Sequence, residues 1–63
     1  MLNAVEKHLC EWLLENGTKT REDCYDTDAG KSEQWTVVVD GEEYDITKLN
    51  GEWVYIHHHI KRK

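Results

Sequence analysis

The sequence predicts an α+β fold in which one N-terminal amphipathic helix packs on a three- to four-stranded antiparallel β-meander, within a single small domain spanning residues 1–63. Three observations lead there. Apolar residues recur at helical spacing as far as Gly17, the period then changes to alternation, and the pairs Asp40-Gly41 and Asn50-Gly51 punctuate the alternating part at hairpin positions. Proline is absent, which suits a sheet with few irregular segments.

Leu2, Val5, Leu9, Trp12 and Leu13 form the apolar set that predicts the helix and is expected to face the core, with Glu6, Lys7, Glu11 and Glu15 elsewhere around the wheel. Asn3, followed three residues later by Glu6, forms a capping box with Asn in place of Ser or Thr. Gly17, free to adopt positive φ, is expected to end the helix after Asn16.

"TKTREDCY", from Thr18 to Tyr25, is a weak strand candidate, "EQWTVVV", from Glu33 to Val39, a strong one. "DTDAGKS" between them resembles the start of a calcium loop and the end of a phosphate-binding loop. Gly30 stands where a third calcium ligand belongs and Tyr25 where the first glycine of a P-loop belongs, so a hairpin turn is expected. A two-residue type I′ turn at Asp40-Gly41 pairs Val39 with Glu42, Val37 with Tyr44 and Trp35 with Ile46. One face then collects Trp35, Val37, Val39, Tyr44 and Ile46 for packing against the helix.

The last hairpin admits two registers, and a slip of one residue turns every side chain over. With Asn50-Gly51 as a two-residue loop, Ile46 lies opposite Tyr55, and Trp53 and Tyr55 join the core. With Leu49-Asn50-Gly51 as a three-residue loop, Ile46 lies opposite Val54 and Tyr44 opposite Ile56. The second is preferred because it buries the aliphatic Val54 and Ile56 and leaves the amphipathic rings of Trp53 and Tyr55 on the open face.

A chain of 63 residues hides only about 60% of the surface it would expose unfolded. Its core is too thin to enclose a pocket of roughly 300 Å³ or more, which makes an outer binding face the better expectation. Net charge is −5, with nine acids against Lys31 alone between Glu22 and Asp45, while Lys61, Arg62 and Lys63 form a cationic tail. An anionic body repels phosphate backbones and favours basic partners, though such charge also serves solubility. No stretch is long enough to span a membrane, and "MLNAVEKHL" lacks the features of a secretion signal, which points to the cytoplasm. In a reducing cytosol Cys10 and Cys24 are expected as two buried thiols rather than a disulfide.

Catalysis finds little support. Ser32 is the sole serine and sits in a turn, neither cysteine has an identifiable base, and Glu42 and Glu43 alternate across a strand. The consecutive His57, His58 and His59 cannot form a three-ligand cluster on a strand, because His57 and His59 share one face and His58 takes the other. In the preferred register Glu43 lies opposite His57, which gives a metal-binding His-x-His domain some basis. A tetrahedral zinc site needs further ligands that the sequence does not supply, so no metal and no cofactor is expected.

The leading expectation is a non-enzymatic protein-binding module, a small acidic regulator or inhibitor of a basic partner such as a nucleic-acid-handling protein. Its contact stripe would comprise Trp53, Tyr55, His57 and His59 with Glu43 and Asp45 beside them. The alternative is a single-stranded nucleic-acid binder that stacks bases on the open sheet face and places Lys61, Arg62 and Lys63 on phosphates. The anionic body opposes that alternative. An exposed final strand could also pair across a dimer axis, and the sequence leaves monomer and homodimer open.

Overall fold

The computed structural model describes residues 2–60 and contains one helix, α1 (Ala4–Asn16), followed by a four-stranded antiparallel sheet of β1 (Thr18–Thr27), β2 (Gly30–Val39), β3 (Glu42–Leu49) and β4 (Glu52–His59) in the order β1-β2-β3-β4. The fold is the expected helix-on-meander. No helix among the described residues is long and apolar enough to cross a membrane.

The capping box forms as the sequence implies. The Glu6 amide donates to Asn3 Oδ1 at 2.8 Å and the Asn3 amide to Glu6 Oε1 at 3.0 Å, so two amides that would lack helical partners are satisfied. The helix ends after Asn16, but Gly17 has extended backbone at φ −88° rather than the positive φ expected of it. Glycine is needed there for closeness. A Cβ would lie 2.2 Å from Val37 Cγ1, so this is where the chain passes from helix to sheet at backbone distance.

The helix is turned relative to its expected orientation. Cys10 and Leu13 are fully buried, with Leu2 and Leu14 packed partly against the core, whereas Val5, Leu9 and Trp12 are exposed. The sheet explains the rotation. Trp35 and Trp53 rise beneath the helix with ring centroids 5.5 Å apart, and with Val37 and Ile46 they complete the buried cluster. Cys10 and Leu13 are the helix residues that join this cluster, and Trp12 lies outside it.

The first β3 pairings match expectation: Val39 with Glu42, Val37 with Tyr44 and Trp35 with Ile46. Asp40 at φ 50° and Gly41 at φ 77° make the turn. In β1, an irregularity between Lys19 and Arg21 leaves Thr20 outside the ladder, and both faces of this edge strand are largely exposed. Its charges and bulge are devices that keep an edge from recruiting another strand. Cys24 lies on this strand and is exposed, so the expectation of two buried thiols holds only for Cys10; both cysteines are free.

The last hairpin follows neither expected register. Asn50 at φ 51° and Gly51 at φ 79° form a two-residue turn that pairs Leu49 with Glu52 and Lys48 with Trp53. A bulge at Val54 then adds one residue to β4, so that Thr47 meets Tyr55, Ile46 meets Ile56 and Tyr44 meets His58. Trp53 therefore enters the core at 4% exposure, contrary to its expected place on the open face, and Val54 is exposed rather than buried. Beyond the bulge the expected alternation returns: Ile56 and His58 face the helix side, Tyr55, His57 and His59 the other. The hairpin ends are tied together, since Asn50 Nδ2 donates to the Ala29 carbonyl at 2.8 Å and the Asn50 amide to the Lys31 carbonyl at 2.9 Å.

Trp53 is thus structural. Trp53→Ala should cost about 3–5 kcal/mol by lost transfer energy and cavity formation, and urea denaturation should find the variant largely unfolded. Trp53→Phe should cost less than Trp53→Ala, about 1–2 kcal/mol, because a phenyl ring refills most of the volume and the indole N–H, buried without a partner, is removed.

Candidate functional site

The helix covers one face of the sheet and leaves the other open. Strand alternation and pairing place Arg21, Asp23 and Tyr25 of β1 on this open face, with Gln34 and Thr36 of β2, Glu43, Asp45 and Thr47 of β3, and Tyr55, His57 and His59 of β4. A shallow depression of about 470 Å³ lies across it, lined by side chains from all four strands, among them Arg21, Asp23, Thr36, Asp45, Thr47 and Tyr55. Tyr55 is 48% exposed, and its ring runs nearly parallel to that of His57 at 6.4 Å between centroids. His57 in turn meets the ring of His59 edge-on at 4.8 Å.

Asp45 is the polar centre of the face. Thr36 Oγ1 donates to its Oδ1 at 2.9 Å, and its Oδ2 bonds His59 Nε2. Desolvation alone would raise the Asp45 pKa, but the hydrogen bonds from His59 and Thr36 outweigh it and hold the carboxyl below the ordinary value. His59 is shifted the other way. Its bond to Asp45, helped by the charges of Asp45 and Glu43, raises its pKa against desolvation. On the helix side, His58 stacks on Tyr44 at 4.5 Å and bonds Glu42 Oε2 at 2.7 Å. The histidine triplet therefore fastens β4 to β3 on both faces.

Of the residues expected at the contact stripe, Tyr55, His57, His59, Glu43 and Asp45 do share the open face, and Trp53 does not. Glu43 lies opposite His59 rather than His57, whose partner across the ladder is Asp45, because the bulge displaces the register. Among the described residues no group of three or more His, Cys, Asp and Glu side chains is arranged to hold a metal ion. Lys61, Arg62 and Lys63 lie outside the described residues.

Sequence reasoning missed the β1 contribution. Arg21 Nε pairs with Asp23 Oδ2 at 2.8 Å on the same wall of the depression. The alternation of Arg21, Asp23 and Tyr25 carried that signal, but a weak strand with a bulge gives no register from sequence alone. Cys10 offers no nucleophile: burial and the nearby Glu6 push its thiol up to about 11. No family model, no curated protein and no solved structure matches this chain.

The Asp45–His59 pair sets a pH window. With the His59 pKa raised, its contribution to stability is complete below the unfolded value near 6.5 and is lost as pH rises through the folded value. With the Asp45 pKa lowered, its contribution is present above the unfolded value near 3.8 and is lost as pH falls through the folded value. Thermal melts should therefore give a higher midpoint at pH 5.5 than at pH 8.5. His59→Gln should reduce that difference; an unchanged difference would show that the pair does not couple to folding.

Proposed function

We propose that this protein is a non-enzymatic protein-binding module, a small acidic regulator that engages a partner with a basic surface through the open face of its sheet, in the cytoplasm. One observation carries the proposal: a half-exposed tyrosine, Tyr55, stands on an uncovered sheet face and lines one depression with the carboxylates of Asp23 and Asp45. Tyrosine buries a large area at low entropic cost and keeps a hydroxyl for hydrogen bonding, which is why it recurs at binding hot spots. The surrounding carboxylates steer a cationic surface towards it. Arg21, the one Lys or Arg of this face among the described residues, is already paired with Asp23.

The same observation weighs against phosphate as the ligand. Tyr25, Tyr55 and His57 could stack bases, but a nucleic acid needs a cationic track beside its bases, and the carboxylates occupy that place. A depression this shallow, together with a thiol raised out of the nucleophilic range at Cys10, supports binding over catalysis.

Affinity capture from native lysate with wild type and a Tyr55→Ala, His57→Ala double variant tests the proposal. Both rings are exposed, so the variant should keep its fold by circular dichroism and lose the captured protein, at a cost of about 2 kcal/mol or more in affinity. Labelled single-stranded and duplex oligonucleotides should show no salt-sensitive binding. Steep salt-sensitive binding that the double variant abolishes would overturn the proposal in favour of nucleic acid.

A further inference from the structure

The open face holds the means of changing its own charge. Histidine is the side chain that gains a positive charge between about pH 8 and pH 5, and two of the three in β4, His57 and His59, stand on this face among its carboxylates. The ladder sets His57 opposite Asp45 and His59 opposite Glu43. His59 Nε2 bonds Asp45 Oδ2, and both side chains are partly exposed. The His57 ring meets the His59 ring edge-on at 4.8 Å, so one imidazole bonds the central carboxylate while the other stands beside it.

The whole charge of the face decides what protons do to it. β1 supplies Arg21 and Asp23, paired at 2.8 Å, together with Tyr25. β2 supplies no charged group to this side, only Ser32, Gln34, Thr36 and Val38. β3 supplies Glu43 and Asp45, and β4 adds Tyr55 to the two imidazoles. Among the described residues, three carboxylates against one guanidinium leave the face at −2 while both imidazoles are neutral, and each proton that one of them takes removes one unit. The change falls at the depression itself, since Asp45 lines it with Tyr55.

The geometry around Asp45 shows how. Thr36 Oγ1 already occupies its Oδ1 at 2.9 Å, so a protonated His59 on Oδ2 neutralises the carboxylate from within the protein. A neutral imidazole can keep that bond but leaves the charge uncompensated. The bond to Asp45 also raises the His59 pKa from its ordinary 6.5, which lets the proton compete at higher pH than in a free histidine.

We infer that protons gate this surface, a step that rests on the reading of the open face as the docking site of a basic partner: neutral β4 histidines leave an anionic face that accepts the partner, and protonated ones compete with the partner's cations for its carboxylates. Folding and docking are then opposed. A proton on His59 strengthens the tie between β4 and β3 and weakens the attraction for the partner, and by linkage a docked partner expels protons from the face.

The test uses a rhodamine-labelled hexa-arginine peptide, whose charge is constant over the range studied. Fluorescence anisotropy with the full chain compares pH 5.5 with pH 8.5 at roughly physiological salt, which screens charges on the far side of the sheet. Wild type should bind about fivefold or more tightly at pH 8.5, the factor that one unit charge at about 4 Å carries in water. The higher melting midpoint expected at pH 5.5 excludes unfolding as the cause. In a His57→Gln, His59→Gln variant, with its fold verified by circular dichroism, the two affinities should differ less than twofold. His58→Gln, altered on the helix side where His58 bonds Glu42 Oε2 at 2.7 Å, should keep the wild-type ratio. Equal wild-type affinities, a ratio that survives in the double glutamine variant, or one lost in His58→Gln would overturn the gate. The Tyr55→Ala, His57→Ala variant separates that failure from failure of the docking site. Peptide binding at pH 8.5 that is absent in wild type, or unchanged in this variant, would overturn the sheet-face reading and the gate together. Binding that this variant weakens but pH leaves unchanged would overturn the gate alone.

Discussion

Two indoles, Trp35 from β2 and Trp53 from β4, meet with centroids 5.5 Å apart beneath a helix of 13 residues. Removing a tryptophan ring of roughly 200 Å² from water contributes about 5 kcal/mol at the usual area coefficient. The buried indole N–H of Trp53, which has no partner, takes back about 1–3 kcal/mol. Burial wins, and Lys48 Nζ, 4.7 Å above the same ring, adds a cation–π contact. The second indole has a partner, since Trp35 Nε1 donates to Glu22 Oε2 at 3.0 Å. That bond also ties edge strand β1 to the core, which its own side chains scarcely enter.

Placing both rings beneath one short helix constrains the rest of the structure. The helix packs on them through Cys10 and Leu13, which are fully buried, while Trp12 turns out. The type I′ turn at Asn50-Gly51 puts Trp53 on the core side, and a regular ladder from there would also bury Tyr55 while turning Ile56 to water. One extra residue at Val54 avoids this. The bulge lets Trp53 and Ile56 lie on the same side although they are an odd three positions apart, and in doing so it sends Tyr55, His57 and His59 to the open face. The composition of the candidate site is thus a consequence of how the core is filled.

This also explains what could be read from the sequence. The capping box at Asn3, the helix end at Asn16 and the pairing of β2 with β3 each follow from local chemistry within a few residues, and local chemistry is what a sequence displays. The orientation of α1 was not legible, because Val5, Leu9 and Trp12 satisfy a helical pattern as well as Cys10 and Leu13 do. The choice between them depends on volume supplied by Trp35 and Trp53 from distant strands. The open face was legible in part for a related reason. Alternation fixed Tyr55, His57 and His59 relative to one another, while a bulge, which has no side-chain signature here, decoupled Trp53 from them and moved Glu43 from His57 to His59.

The exposed helix stripe and the thin core are two sides of one limitation. A chain of this length has one helix and a sheet with two faces, so it cannot cover both faces of the sheet and every apolar flank of the helix at once. The open sheet face meets water with threonines, carboxylates and histidines, which are at ease there. The helix flank meets water with Val5, Leu9 and Trp12, which are not, and polar residues there would keep the helix and raise solubility without touching the buried cluster.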